Sequence, residues 1–206
     1  MRGAELSHAD EVRIAEAIRA QEAGTSGEIV CVVADSAGDY RFVPLMWAAL
    51  IGLAAPWPFV WFTAWEASRV LGAQLVVFAL VACVFSFTGL RFRVTPRRFL
   101  RERAHQAARE QFRTREIHRT RDRAGVMIYA ALAENYAEVI ADAGIAARVD
   151  PAAWGAIAGR LEAGLASQRN GEALIAAVGE IGTELARHFP PPEREHDELV
   201  DHVVRV

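Results

Sequence analysis

The chain has 206 residues, 52% of them hydrophobic, and a formal net charge of −3. All 23 basic residues are arginine, and the only cysteines are Cys31 and Cys83. Two cysteines are too few for a disulfide framework, and with Cys31 in an expected strand and Cys83 in an expected apolar helix neither reads as a metal or redox motif, so both read as small apolar fillers.

Ser7 to Ala23 reads as a helix. Ser7 or Asp10 can cap it, and Val12, Ile14, Ala15 and Ile18 give an apolar stripe. Gly24-Thr25-Ser26-Gly27 ends it. Glu28-Ile29-Val30-Cys31-Val32-Val33 follows as a strand, and its β-branched run predicts burial on both faces. Asp35 to Asp39 is a short polar link.

Two uncharged apolar runs come next, Phe42–Trp65 and Val70–Leu90, parted only by Glu66-Ala67-Ser68-Arg69. A helix needs about 20 such residues to cross a bilayer. Helices apolar all round also occur inside large soluble proteins. Here the rest of the chain amounts to one ordinary domain, too little to enclose two of them. A transmembrane hairpin over residues 41–90 is the expectation. Trp47, Trp57, Trp61 and Trp65 lie in the first run, Trp65 at its interfacial end. Pro56 and Pro58 each remove a backbone donor there, predicting a kink or a break. No basic segment abuts a short apolar core near Met1, so no cleavable signal peptide is expected.

Arg91 to Arg123 carries twelve arginines against Glu102, Glu110, Glu116 and Asp122, a local excess of eight. The crowd from Arg91 to Arg103 lies just beyond the second run. The positive-inside rule assigns that side to the cytoplasm, and a two-span hairpin returns both termini there. Anionic lipid head groups on that side are the expected partners of Arg91–Arg103. The juxtamembrane position explains the charge, and no nucleic acid is expected as a partner.

Thr95-Pro96 signals a further helix, Arg97 to Ile117, with Leu100, Ala104, Ala107, Ala108 and Phe112 as its inner face. Arg119 to Arg123 is a charged loop. Gly125 to Leu132 is a second buried strand, Ala133-Glu134-Asn135 a tight turn, and Tyr136 to Ala141 an antiparallel third strand. Asp142-Ala143-Gly144-Ile145 ends it. Asp150-Pro151 caps a helix to Ser167, and Gly171 opens another to about Phe189, stopped by Pro190-Pro191-Pro192. Residues 193–206 carry five acids and two arginines and read as an acidic extended tail, with Val203, Val204 and Val206 able to dock. There is no internal repeat and no low-complexity linker.

Several segments in this order resemble the TPM domain family. They are Glu22 to Val30, Phe112 with His118 to Thr120 ahead of Arg123 to Tyr129, Ala137 to Ile145, Trp154, and His188-Phe189-Pro190. The resemblance spans nearly all of the chain outside the hairpin. It implies an α/β sandwich, a small mixed sheet flanked by helices, split here into residues 1–40 and 91–192 by the hairpin. A hairpin after the first strand departs from commonly described members and marks a bacterial membrane branch. The family includes thylakoid-lumen proteins tied to photosystem repair and a membrane modulator of acetylcholine receptors. Acid-phosphatase activity and divalent-cation binding are attributed to some members, auxiliary or assembly roles to others.

If strands one and two run parallel toward the membrane, the start of strand one and the end of strand three share the opposite, distal edge. Glu22, Glu28, Asp122, Asp142 and Asp150 would gather there. Oxygen-rich clusters suit Mg²⁺ or Ca²⁺, Mg²⁺ being favoured in cytoplasm. Each acid also has a plain role: Asp142 capping a turn, Asp150 capping a helix, Glu28 pairing with Arg121 or Arg123. Phosphate-loop, G-x-S-x-G and H-E-x-x-H motifs are absent. His105 and His118 read as surface or helix-end residues, Tyr129, Tyr136 and Trp154 as packing groups. The leading expectation is a membrane auxiliary or assembly factor working with a membrane-protein partner. The alternative is a metal-dependent membrane-bound phosphatase.

Overall fold

The computed structural model describes residues 6–40, 42–87, 95–115, 124–191 and 204–205. It divides into two compact units, Met1–Ala37 with Arg101–Val206, and Gly38–Leu100.

In the first unit, α1 (His8–Glu22) starts on Ser7, whose Oγ accepts from the Asp10 amide at 3.1 Å. This satisfies one of the amides that a helix start leaves open. Its buried face is Ile14 and Ile18. β1 (Glu28–Ala34) and β2 (Gly125–Ala131) pair in parallel, Glu28 opposite Gly125 and Ala34 opposite Ala131. β3 (Tyr136–Ala141) returns antiparallel to β2 through a turn in which Asn135 has φ 49°. Every residue of β2 is buried. The fold is α/β, a small mixed sheet flanked by helices. A fourth strand, β4 (Val204–Arg205), lies parallel to β1 on its other side, giving the order β3-β2-β1-β4. Val204, one of the tail valines expected to be able to dock, pairs with Val32 in this strand.

α5 (Arg97–Thr114) lays Ala104 and Ala108 on one face of this sheet, with Ala107 and Phe112 beside them. Its expected inner face is otherwise corrected at Leu100, which packs with Tyr40 and Val43 in the second unit. The expected continuation to Ile117 and the loop Arg119 to Arg123 lie outside the described residues. Asp142 does not simply end the strand: it caps a one-turn helix, α6 (Ala143–Ala146). α7 (Pro151–Ala166) starts on the Asp150 carboxylate with Pro151 in its first turn, where no amide is needed. α8 (Asn170–His188) follows. At Gly164 an added Cβ would come 2.3 Å from the Ala173 Cβ, so glycine permits the close crossing of α7 and α8. α1, α7 and α8 cover the second face of the sheet over one large apolar cluster.

In the second unit, α2 (Phe42–Ala54) and α3 (Pro56–Phe62) are joined by Ala55, which keeps helical dihedrals of −57° and −35°. The run is thus divided at Ala55, next to Pro56 and Pro58, which supply no amide donors. α4 (Ala67–Phe87) packs on α2, whose buried residues Val43, Pro44, Ala48 and Gly52 form one stripe. Phe42–Phe62 and Ala67–Phe85 are long and apolar enough to cross a membrane, with 22% and 6% of their most apolar windows buried. Leu53, Trp61, Phe62 and Leu75 are 72%, 72%, 84% and 69% exposed.

Candidate functional site

The sheet register carries the distal-edge acids as follows. Glu28 stands opposite Gly125 in β2, and the Asp142 amide donates to the Gly125 carbonyl at 2.9 Å. The two acids thus flank one glycine across three strands. Strand alternation points both toward the α5 face, the side of Val30, Met127 and Ile140. Their backbones are two strand spacings apart, roughly 10 Å. Asp142 is buried, with Oδ1 accepting from Ala143 N at 2.7 Å and Oδ2 enclosed without a hydrogen bond among the described residues. Glu22 Oε1 accepts from Ile29 N at 2.7 Å. Asp150 Oδ1 accepts from Ala152 N at 2.9 Å. Asp122 lies outside the described residues.

The sequence thus identifies the edge on which Glu22, Glu28 and Asp142 belong, while the geometry ties Glu22, Asp142 and Asp150 to backbone amides. Among the described residues no group of three or more His, Cys, Asp or Glu side chains stands where one ion would reach them. A hard cation takes about six or more oxygens. The described donors do not fit such a shell. Nearby, Thr25 is buried, and its Oγ1 donates to the Phe189 carbonyl at 2.5 Å and accepts from Gly27 N. This ties the turn after α1 to the end of α8.

A second group of polar side chains lies along β3. Glu138 Oε2 accepts from the Tyr136 hydroxyl at 2.8 Å and meets His105 Nδ1 at 2.9 Å. An ionised Glu138 has no hydrogen to give, so Nδ1 is the donor and a neutral His105 keeps its lone pair on Nε2. Arg101 stacks over the Tyr136 ring, 5.1 Å from its centroid, and pairs with Glu162 at 3.1 Å. The other Glu162 oxygen accepts from Ala137 N at 3.4 Å, covering the outer edge of β3. Burial, then the bond to Glu138, pushes the Tyr136 phenol well above its ordinary value, so it stays a proton donor. The Arg101 guanidinium is raised chiefly by its bond to Glu162. The arrangement orients an imidazole and holds α5 to β3 and α7. Its described contacts include no serine, threonine or cysteine to act as nucleophile.

From sequence, Tyr136 reads as a packing group and His105 as a surface or helix-end residue. His105 and Glu138 stand 33 positions apart, and nothing local signals their meeting. The alternation in β3, which sends Tyr136 and Glu138 to the same face, is the part of that signal present in the sequence.

At the opposite end of the strands, Glu134 Oε1 accepts from Ser36 Oγ at 3.0 Å and Ala37 N at 2.9 Å. A shallow groove of about 220 Å³ between α7 and α8 is lined by Ala153, Ile157, Arg160, Glu180 and Thr183. Of its charges, Arg160 and Glu180 pair with each other, and Glu184 pairs with Arg187.

No protein-family model matches this sequence, and no curated protein matches it. A similar solved structure is the NMR structure of BA42 protein from the psychrophilic bacterium Bizionia argentinensis. It superposes with a TM-score of 0.60 at 17% identity, covering 98% of this chain and 95% of that one. At that identity the likeness is one of fold.

Proposed function

We propose that this is a membrane-anchored α/β protein of TPM-domain type, an auxiliary or assembly factor for a membrane-protein partner. The observation that carries the reading is the outward-facing apolar surface of α2, α3 and α4, with one span window only 6% buried. Apolar area left in water costs about 25 cal/mol per Å², and lipid removes that cost. Helices satisfy their own backbone groups, which a bilayer demands. The Arg91–Arg103 crowd favours the cytoplasmic side of a bacterial inner membrane for both termini and supplies contacts for anionic head groups. The auxiliary role, rather than hydrolysis, is supported by the engagement of Glu22, Asp142 and Asp150 with amides. No step is assigned to a divalent cation.

Reporter fusions at both termini, with alkaline extraction of membranes, test the anchoring. Cytoplasmic signals and retention in the membrane pellet are expected. A periplasmic signal would overturn the orientation, and release into the supernatant the anchoring. Phosphate-ester turnover that needs Mg²⁺ and disappears in Glu28→Ala and Asp142→Ala would overturn the auxiliary role.

A further inference from the structure

His105 stands in the middle of α5 with its side chain 38% exposed. Its Nδ1 meets Glu138 Oε2 at 2.9 Å, and its Nε2 has no hydrogen-bond partner among the described residues. The same Glu138 oxygen accepts from the Tyr136 hydroxyl at 2.8 Å, and both residues belong to a strand paired along its length with β2. Burial, then that bond, keeps the Tyr136 phenol a donor. Two donors thus converge on one carboxylate oxygen, which fixes the imidazole and its tautomer. The lone pair is left on Nε2, the ring nitrogen that faces water.

The other described histidines lack this arrangement. His8 is 90% exposed and meets only Glu11, three residues on in the first turn of its own helix. His188 is exposed in the last turn of α8, and no described acid pairs with its ring. The charge around His105 also suits an anion. Arg109 follows one helical turn on, where Cβ atoms lie roughly 6 Å apart. It is exposed and makes no ion pair among the described residues. Arg101, one turn back, is taken by Glu162, and the Glu102 carboxylate accepts from Gln106 Nε2 at 3.0 Å.

We propose that His105 is a modification site that accepts a phosphoryl group on Nε2 from a donor of the phosphoramidate or acyl-phosphate class. The Nε2 lone pair forms the new N–P bond. In phosphoramidate the P–N bond breaks and its electron pair leaves on ammonia, whose protons the donor nitrogen already carries. The ring then holds a hydrogen on Nδ1 and phosphorus on Nε2 and is a cation. The Glu138 carboxylate faces that positive charge at Nδ1, and Arg109 faces the phosphoryl oxygens. The modification changes this side of α5 from positive to negative. All four side chains belong to the first unit, so the inference does not depend on membrane anchoring.

The test is incubation of the full-length chain with potassium phosphoramidate. The readouts are intact mass, phosphorus NMR for an acid-labile N–P bond, and peptide mapping across all six histidines. One phosphoryl group on His105 is expected, ahead of His8 and His188, and none there in His105→Gln. Glu138→Gln keeps an oxygen for both donors and removes only the charge. It should slow labelling of His105 roughly tenfold, the worth of a charge at hydrogen-bond distance partly screened by water, with no change in labelling of His8. Arg109→Ala should slow it less, and its melting temperature should match that of the unaltered chain. Labelling that follows exposure, with His8 ahead of His105, would overturn the inference. So would the absence of label on His105, or a rate there that Glu138→Gln leaves unchanged.

Discussion

The two faces of the sheet are built differently. On one, Ile29, Cys31, Val33, Val126 and Ile128 meet Ile14, Ile18, Trp154, Leu161, Ile181 and Leu185 from α1, α7 and α8. On the other, Val30, Val32, Met127 and Tyr129 meet Ala104, Ala108 and the half-buried Ala107 and Phe112 of α5. Large aliphatic side chains remove more apolar area from water, and stability scales with that area. The first face therefore carries most of the unit's stability. An alanine-lined helix buries little per residue, so the seat of α5 leans on polar pairs at its rim, Arg101 with Glu162 and His105 with Glu138. One face is built to persist, the other sits at a margin that charge can move.

Alkali should break both faces and gives the largest effect. Burial pushes the Cys31 thiol, on the thick face, from 9.0 up to about 12. On the α5 face, burial and then the Glu134 charge raise the Tyr129 phenol from 10.0 to about 12. A raised acid pKa means the folded chain holds the proton more tightly than the unfolded one. That stability is whole below about pH 9 and is lost as pH climbs through 12. The melting temperature should fall steeply over this window. Cys31→Ala should delay the onset toward pH 10, where Tyr129 takes over. A flat profile to pH 12 would contradict the burial of both protons.

Truncation comes next. Leu185→Ala or Ile181→Ala on the thick face should cost about 2–5 kcal/mol in urea unfolding, as transfer and cavity terms add. Ala108→Gly on α5 should cost about 1 kcal/mol, mostly helix propensity. Equal losses would remove the distinction between the faces.

What the sequence made legible follows local rules. Ser7 and Asp150-Pro151 start their helices where capping chemistry places them. The β2–β3 hairpin is legible because its turn is short, and the two apolar runs because length alone marks them. What it hid depends on distant partners. β4 is too short to show a period, and its pairing with β1 joins residues about as far apart as the chain allows. The fate of Glu22 was equally hidden: nothing in its own segment shows that its carboxylate closes Ile29 N–H. The acids of the distal edge read as a ligand set because residue type is local; the caps made by Asp142 and Asp150 are local as well, and only the Glu22 bond to Ile29 N depends on how the chain folds back.

The smallest effect tests the rim of α5. Arg101 is 61% exposed and Glu162 22%, so water screens their attraction, and Arg101→Ala should cost only about 0.2–1 kcal/mol globally. The local effect should be larger than the global one. Arg101 both pairs with Glu162 and covers the Tyr136 ring, so its loss uncovers the side of β3 that α5 and α7 share. Hydrogen exchange should then rise along α5 while β2 amides stay protected, because sub-global opening draws on the weaker interface. High salt should reproduce part of this in the unaltered chain and add little in Arg101→Ala. A double-mutant cycle with Glu162→Gln isolates the pair, since Gln keeps an oxygen for Ala137 N. If exchange in α5 does not change in any of these variants, its alanines alone hold it to the sheet, and the two faces differ in side-chain size but not in how firmly they are closed.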